Sequence, residues 1–448
     1  MVTNSDVIAD HLLERTSRGL AAAVSAAVGD GSLADGARLP PIRRLASDLE
    51  LSPSTVSAAW RLLATARVIR ADGRRGTVIT AHAQPGPVRY RRALEHSSAF
   101  NLDLSTGMPD AALLPDLGAA LSRLHRAGVS GSYLDDPIVP GLVESLAQDW
   151  PYETDEFMIV DGAMDALDQV SSHLLRYGDG VIVENPSFPP LLDLLDALGV
   201  RHAGVDVDEE GMMPSQFVEA LDQHPRAVFL QPRAHNPTGV SMSSERAQEL
   251  ARLVAPHPIF VIEYDSAGSV AAARPVSLGR WIPSRTVHVR SFSKSYGPDL
   301  RLAAMSGPRE LVDALRERRL LGQGWTSRLL QAVLIDLLTQ PATRRQVARA
   351  RGAYASRRRK LRAALEREGV SIMGDDGLNI WLPVRDETSA LIALASRGIG
   401  AAAGSPFLTK RESASHIRVT AGLVERDFAR VGHELAIAAT LRPHAGPR

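Results

Sequence analysis

Lysine is almost absent from this chain, which carries only Lys294, Lys360 and Lys410. The first of these stands in SFSKSYGPDLRLA, directly behind Ser291 and Ser293 and ahead of Arg301. A lysine amine condenses with an aldehyde, while two hydroxyls and a guanidinium hold a phosphate. The cluster therefore suits a phosphorylated aldehyde bound through Lys294, with Ser291, Ser293 and Arg301 on its phosphate. Three more runs could serve the same ligand: DGAMDAL, NPSFPP and RAHNPTGV. In the first, a small-residue turn opens a helix and offers the backbone N–H groups of Ala163 and Met164 to an anion. Taken singly, each of these residues is an ordinary turn or core residue. Their joint order along the chain is what carries the reading.

Each run follows a short β-rich apolar stretch. FMIV precedes DGAMDAL, VIVE precedes NPSFPP, AVFLQP precedes RAHNPTGV, and TVHVR precedes the lysine motif. Helical stretches such as PPLLDLLDALG and SSERAQELARLVA alternate with them. That alternation predicts an α/β fold beyond residue 101, a mostly parallel sheet with helices on both faces. Ligands of such sheets bind at the carboxyl ends of the strands, where these four runs begin.

Composition limits the remaining possibilities. At 448 residues and 48.2 kDa the chain is long enough for two or three domains. Hydrophobic residues are 44% and charged residues 23%, as in folded globular proteins. Lys plus Arg and Asp plus Glu are balanced at 51 each, so contact with nucleic acid must come from a local patch. Cys is 0, which excludes disulfides, thiolate metal sites and a cysteine nucleophile; no metal is expected. Neither a signal segment nor an apolar run near the roughly 18 residues of a membrane span is visible, so a cytoplasmic location without membrane contact is expected.

Residues 1–80 read differently. Apolar spacing predicts a helix over Val7 to Val28, a short helix over Ile42 to Leu49, and a third helix capped by Ser52 with Pro53 in its first turn. Val56, Ala59, Trp60 and Leu63 form the buried stripe of the third. Then VIRADGRRGTVIT gives two β-prone runs around a basic tip, a hairpin wing. Residues 81–100 are Pro- and Gly-containing and weakly periodic, an interdomain linker, whose RYRR could touch phosphates or simply keep it solvated.

The segment LPPIRRLASDLELSPSTVSAAWRLLATARVIRADGRRGTVI resembles the winged helix-turn-helix of the GntR family of bacterial transcription factors. The resemblance implies duplex DNA as partner. It assigns Arg43 and Arg44 to the start of the second helix, Ser52, Ser54 and Thr55 to the major groove, and Arg74 and Arg75 to the wing. Pro53 and Ser57 stand where the family often has arginines, which thins base readout by the recognition helix.

Residues 101–448 resemble a fold-type I pyridoxal phosphate aminotransferase, with HNPTG and SFSK…RLA as the specific motifs and a small subdomain from about 335 to 448 plus part of 101–130. The resemblance makes pyridoxal 5'-phosphate the cofactor, Lys294 its Schiff-base lysine, Asn236 the partner of its ring hydroxyl and Phe188 the ring that stacks on its pyridine. It makes Tyr133 a residue reaching the phosphate of the neighbouring subunit, and Arg418 the group that grips a ligand α-carboxylate. One position departs. Where the family has an acid pair whose first member meets the pyridine nitrogen, this chain has FVIEYDSAG. Without a gap Tyr264 takes that place and Asp265 the next, on opposite faces of the strand; a one-residue bulge would restore Asp265. A phenol there weakens the electron sink that transamination needs.

Together the halves resemble the MocR subfamily of GntR-type regulators. This implies a head-to-tail homodimeric transcriptional regulator on an operator, sensing pyridoxal phosphate or a small amine or amino acid, with weak or no turnover. The alternatives are a working aminotransferase with a fused DNA-binding domain, and a regulator that has lost its cofactor.

Overall fold

The computed structural model describes residues 3–29, 32–34, 36–65, 69–71, 76–79, 89, 100–127, 131–154, 156–410 and 415–441. At the N-terminus, α1 (Asn4–Asp10) opens on a capping box: Thr3 Oγ1 accepts from Asp6 N, and the Asp6 carboxylate accepts from Thr3 N at 2.8 Å. A second helix, α2 (Ser17–Gly29), follows a break. The single helix expected over Val7 to Val28 is therefore two. Thr16 starts a new cap by accepting from Gly19 N at 3.0 Å, and Leu13, counted toward the apolar stripe, is 95% exposed.

Helix α3 (Ile42–Asp48) begins behind Pro41, and α4 (Pro53–Thr65) begins behind Ser52, whose Oγ accepts from Thr55 N at 3.0 Å. Val56, Ala59, Trp60 and Leu63 of α4 are buried against Leu20, Val24 and Leu45. Strands β1 (Ile69–Ala71) and β2 (Thr77–Ile79) pair antiparallel as the wing; its tip, with Arg74 and Arg75, lies outside the described residues. Tyr177, from the large domain, packs against this N-terminal core. Within the linker Arg89 pairs with Asp196 at 3.0 Å and its backbone N–H reaches Asp193, so this arginine of RYRR, partly exposed, is turned to carboxylates of the large domain.

After the two-residue β3 (Leu102–Asp103), the large domain is organised by an eight-stranded sheet. Its members are β4 (Glu156–Val160), β5 (Gly180–Asn185), β6 (Arg201–Asp208), β7 (Gly211–Met212), β8 (Ala227–Leu230), β9 (Phe260–Asp265), β10 (Thr286–Ser291) and β11 (Ala303–Gly307). Across the sheet the order is β4-β11-β10-β9-β8-β5-β6-β7. The β6-β5-β8-β9-β10 block is parallel throughout, while β11 runs antiparallel to both β10 and β4. The carboxyl ends of β4, β5, β8, β9 and β10 consequently share one edge. Near-continuous apolar strands are what a sheet covered on both faces requires, and two cores flank it, one around Leu167, Val183 and Val289, the other around Phe217, Val228 and Leu250.

A second layer of structure closes over that edge. The helix Pro341–Arg367 leads to a three-stranded sheet of β12 (Ile380–Val384), β15 (Ser415–Val419) and β14 (Ala402–Ala403), while β13 (Ile399–Gly400) pairs with β3. Leu104, Leu361, Ile380, Ile417 and Leu435 form its own core. No helix of the described residues is long and apolar enough to cross a membrane.

Candidate cofactor site and DNA-facing surface

The carboxyl edge of the large sheet and the small three-stranded sheet enclose a cavity of about 470 Å³. Lys294 lines it from the short helix Ser293–Tyr296 that directly follows β10. Burial, with the nearby Arg418 charge as the lesser cause, lowers the Lys294 amine to about 8. Its Nζ donates to the Gly107 carbonyl at 2.6 Å.

Around Lys294 the cavity has a cup suited to phosphate. The helix Ala163–Leu174 starts at the cavity wall, and the first N–H groups of a helix have no acceptor within it. Gly162 makes the approach possible: it sits at φ +102, and a Cβ there would lie 3.3 Å from Arg301 Nη2. Arg301 itself holds a left-handed φ of 49 and lines the cup with Ser291 and Ser293. Opposite, Arg418 on β15 enters from the small sheet, buried, donating to the Ser105 carbonyl and lying 5.1 Å from the centre of the Phe407 ring.

Two rings and an amide stand between these ends. Phe188 and Tyr264 face the cavity with centroids 5.7 Å apart. Asn236 is clamped through its backbone, donating to Gln231 Oε1 and accepting from Gln231 Nε2, both at 3.2 Å. Its side chain also lines the cavity.

The strand β9 decides between the two acid-pair readings. Val261 through Asp265 register against Thr286 through Arg290 without interruption, so there is no bulge. Alternation then turns Tyr264 toward the cavity and Asp265 away from it. Asp265 is 1% exposed, accepts from Arg233 at 2.7 and 3.0 Å and from Gly268 N at 2.9 Å, and does not line the cavity. Burial pushes its carboxyl up, but Arg233 and Arg290 more than offset this and hold it below the usual carboxylate range. Burial, reinforced by the Asp265 charge, pushes the Tyr264 phenol up, so it is a hydrogen-bond donor at neutral pH. Asp265 as a cavity-facing residue is thus corrected. Its carboxylate serves the Arg233 pair instead.

Of the other expected residues, Ala163, Met164, Phe188, Asn236, Ser291, Ser293, Lys294, Arg301 and Arg418 are brought together around this one cavity. Tyr133 is not. It is 89% exposed and meets Trp325 edge to face at 5.8 Å. Sequence reading missed Ser266, Asn379, Gly107 and Phe407, which also line the cavity. Ser266 carried a signal, lying two residues past Tyr264 on the same side. Asn379 and Phe407 carried none, because they arrive from the small sheet and its loops.

The residues fit a phosphorylated pyridine aldehyde at every point except the ring-nitrogen position. The cup, the cavity-lining amine and the facing ring are present, and a phenol replaces the acid.

On the N-terminal domain, Arg43, Arg44, Ser52 and Ser54 are exposed and Thr55 is half-buried. Ser52 Oγ lies 2.7 Å from Ser54 Oγ and 2.8 Å from Thr55 Oγ1, so the three hydroxyls cluster at the start of α4. Arg44 is held only loosely, 3.9 Å from Asp48. Guanidiniums beside a helix N-terminus present a phosphate-seeking surface.

Comparison with known proteins agrees with both halves. Residues 101–432 match the model for aminotransferase class I and II, and residues 16–79 match that for bacterial regulatory proteins of the gntR family. The vitamin B6 salvage pathway transcriptional repressor PtsJ of Salmonella typhimurium is 38% identical over 370 residues, 80% of this chain and 83% of that protein. The HTH-type transcriptional regulator TauR of Rhodobacter capsulatus is 28% identical over 403 residues, 80% of this chain and 82% of its own length. Among solved structures, kynurenine aminotransferase of Pyrococcus horikoshii superimposes with a TM-score of 0.69 at 22% identity, covering 80% of this chain and 95% of that one. At that identity the likeness shows the fold.

Proposed function

This chain belongs to the MocR subfamily of gntR-type transcriptional regulators, a winged helix-turn-helix joined to an aminotransferase-like domain, and from that premise we propose that it binds pyridoxal 5'-phosphate and uses it to sense an amino-group ligand. The observation that carries the reading is Lys294: a half-buried side chain whose amine is lowered to about 8, on the same cavity wall as the anion cup and Arg418. The vitamin B6 role in the name of the relative PtsJ supports the same ligand.

Bound pyridoxal phosphate supplies an electrophilic aldehyde and an electron-withdrawing ring. The chain does the rest. Lys294 offers an amine that is about half neutral near pH 8 and would hold the cofactor's aldehyde. Ala163 and Met164 N–H, Ser291, Ser293 and Arg301 take the phosphate, Asn236 donates to the ring oxygen, and Phe188 stacks on the ring. Tyr264 donates its phenolic proton toward the ring nitrogen and, unlike a carboxylate, cannot keep that nitrogen protonated. Arg418 grips a ligand carboxylate with a guanidinium fork. Ligand held between the large sheet and Arg418 biases the two layers toward one arrangement, and differential affinity for the two arrangements is what shifts DNA binding.

As further parts of the proposal, Tyr133, exposed beside Trp325, reaches the neighbouring subunit of a head-to-tail homodimer. Arg43, Arg44 and the hydroxyls of α4 contact an operator duplex in the cytoplasm. Purified protein mixed with pyridoxal phosphate is expected to gain a visible absorption band that Lys294→Ala abolishes. No band in either protein sinks the cofactor reading.

A second reading, a working aminotransferase, is favoured by the complete lysine cup. It is tested by incubating the loaded protein with L-alanine and following conversion to the pyridoxamine form. Wild type is expected to convert slowly or not at all, and Tyr264→Asp at least about tenfold faster, since a carboxylate stabilises the protonated ring. Fast conversion by the wild type would establish the enzyme.

A further inference from the structure

Asn236 presents an amide whose two ends differ, and what fixes its orientation is a second amide that no motif pointed to. Asn379, 7% exposed and one residue ahead of β12, donates from Nδ2 to Asn236 Oδ1 at 3.1 Å. With its oxygen engaged there and its backbone clamped by Gln231, Asn236 is left with Nδ2 for the cavity. A ring oxygen that carries negative charge needs that donor, not a carbonyl. The Asn379 Oδ1 atom is itself buried and has no hydrogen-bond partner among the described residues. Reversing Asn379 alone would set two carbonyl oxygens against each other, so the two amides hold their orientations as a pair.

The backbone around the pair holds it in register. The loop before Asn379 is stapled to the HNPTG loop: Arg358 donates to the carbonyls of Thr238 and Gly374, both at 3.0 Å, and Asp376 N donates to Gly239 O at 2.9 Å. The loops touch so closely that a Cβ on Gly374 would lie 2.4 Å from the Gly239 carbonyl carbon. The same small sheet carries Arg418, paired across β12 with Trp381, two residues beyond Asn379. A shift of that sheet upon ligand binding therefore reaches Asn379 and Arg418 together.

We propose that Asn379 is a positioning residue that orients Asn236 toward the cofactor's ring oxygen and thereby sets the proton affinity of the lysine-bound cofactor. The inference rests on the cofactor reading above. Hydrogen bonding to a charged form favours that form, so losing an oriented Asn236 donor raises the pH at which the bound cofactor gives up its proton.

The test is a pH titration of the visible band in the full-length protein loaded with pyridoxal phosphate. In Asn379→Leu the midpoint is expected to rise by about one pH unit, a tenfold gain in proton affinity. Asn379→Asp keeps the size of the side chain but cannot donate at neutral pH, so it should shift the midpoint the same way and further, and it carries the test if the leucine variant fails to fold. A merely structural role would lower cofactor occupancy and leave the midpoint in place. Unchanged midpoints in the folded variants overturn this inference alone, whereas absence of the band from the wild-type protein overturns the cofactor reading and the inference with it.

Discussion

Two regions of this molecule offer hydroxyls, a guanidinium and a helix N-terminus to phosphate, and they do so in opposite surroundings. The serines at the start of α4 and Arg43 and Arg44 at the start of α3 are exposed, and Arg44 lies 3.9 Å from Asp48. Each such contact is weak and screened by salt, so useful affinity there requires many of them on a regularly charged polymer. In the cavity the same groups sit at strand ends of a buried sheet, with an amine whose protonation burial has moved to about 8. The two regions differ in concavity: one is an exposed surface, the other a cavity of about 470 Å³.

The sharpest way to break that contrast is to remove one guanidinium from each side. Arg301→Gln is expected to weaken pyridoxal phosphate binding by about 10- to 100-fold, the size of one hydrogen bond to a charged group, in a spectrophotometric titration. Operator binding measured without cofactor should stay as it was. Arg43→Ala and Arg44→Ala should each cost about tenfold in operator affinity at moderate salt. Each should lower the slope of log affinity against log salt by about one, leaving the visible band untouched. An arginine whose loss does not change that slope is not on a phosphate.

A smaller effect separates the enclosed amine from an ordinary one. Only the neutral form of Lys294 attacks an aldehyde, and its affinity for a proton is lowered, so the neutral form is already half populated near pH 8. The rate of cofactor attachment should rise about tenfold per pH unit below that point and level off above it in stopped-flow measurements. An unshifted lysine would keep accelerating to beyond about pH 10.

Much of this arrangement was legible because local rules govern it. Proline and serine ahead of α3 and α4 fixed where those helices begin, and β-rich runs followed by small or polar residues located the strand ends that carry Lys294, Asn236, Phe188 and Arg301. The break between α1 and α2 was not legible, since Leu12 and Leu13 continue a helical spacing that burial does not use: Leu13 is 95% exposed. The fate of Asp265 was not legible either. Strand alternation dictates that Tyr264 and Asp265 face opposite ways, but only the unbroken pairing of β9 with β10, with Arg233 holding Asp265 on the far face, decides which of them faces the cavity.

The sequence by itself determined the order of elements, the two-part organisation and the residues at the carboxyl edge of the sheet, because helix caps, strand periodicity and turn residues act over a few neighbours. The tertiary structure alone decided what meets across that edge: Asn379 against Asn236, Arg418 opposite the cup, Asp265 withdrawn to Arg233. Those partners lie on separate elements far apart in the chain, and only packing of the small sheet over the large one sets the ångström-scale distances on which hydrogen bonds and proton affinities depend.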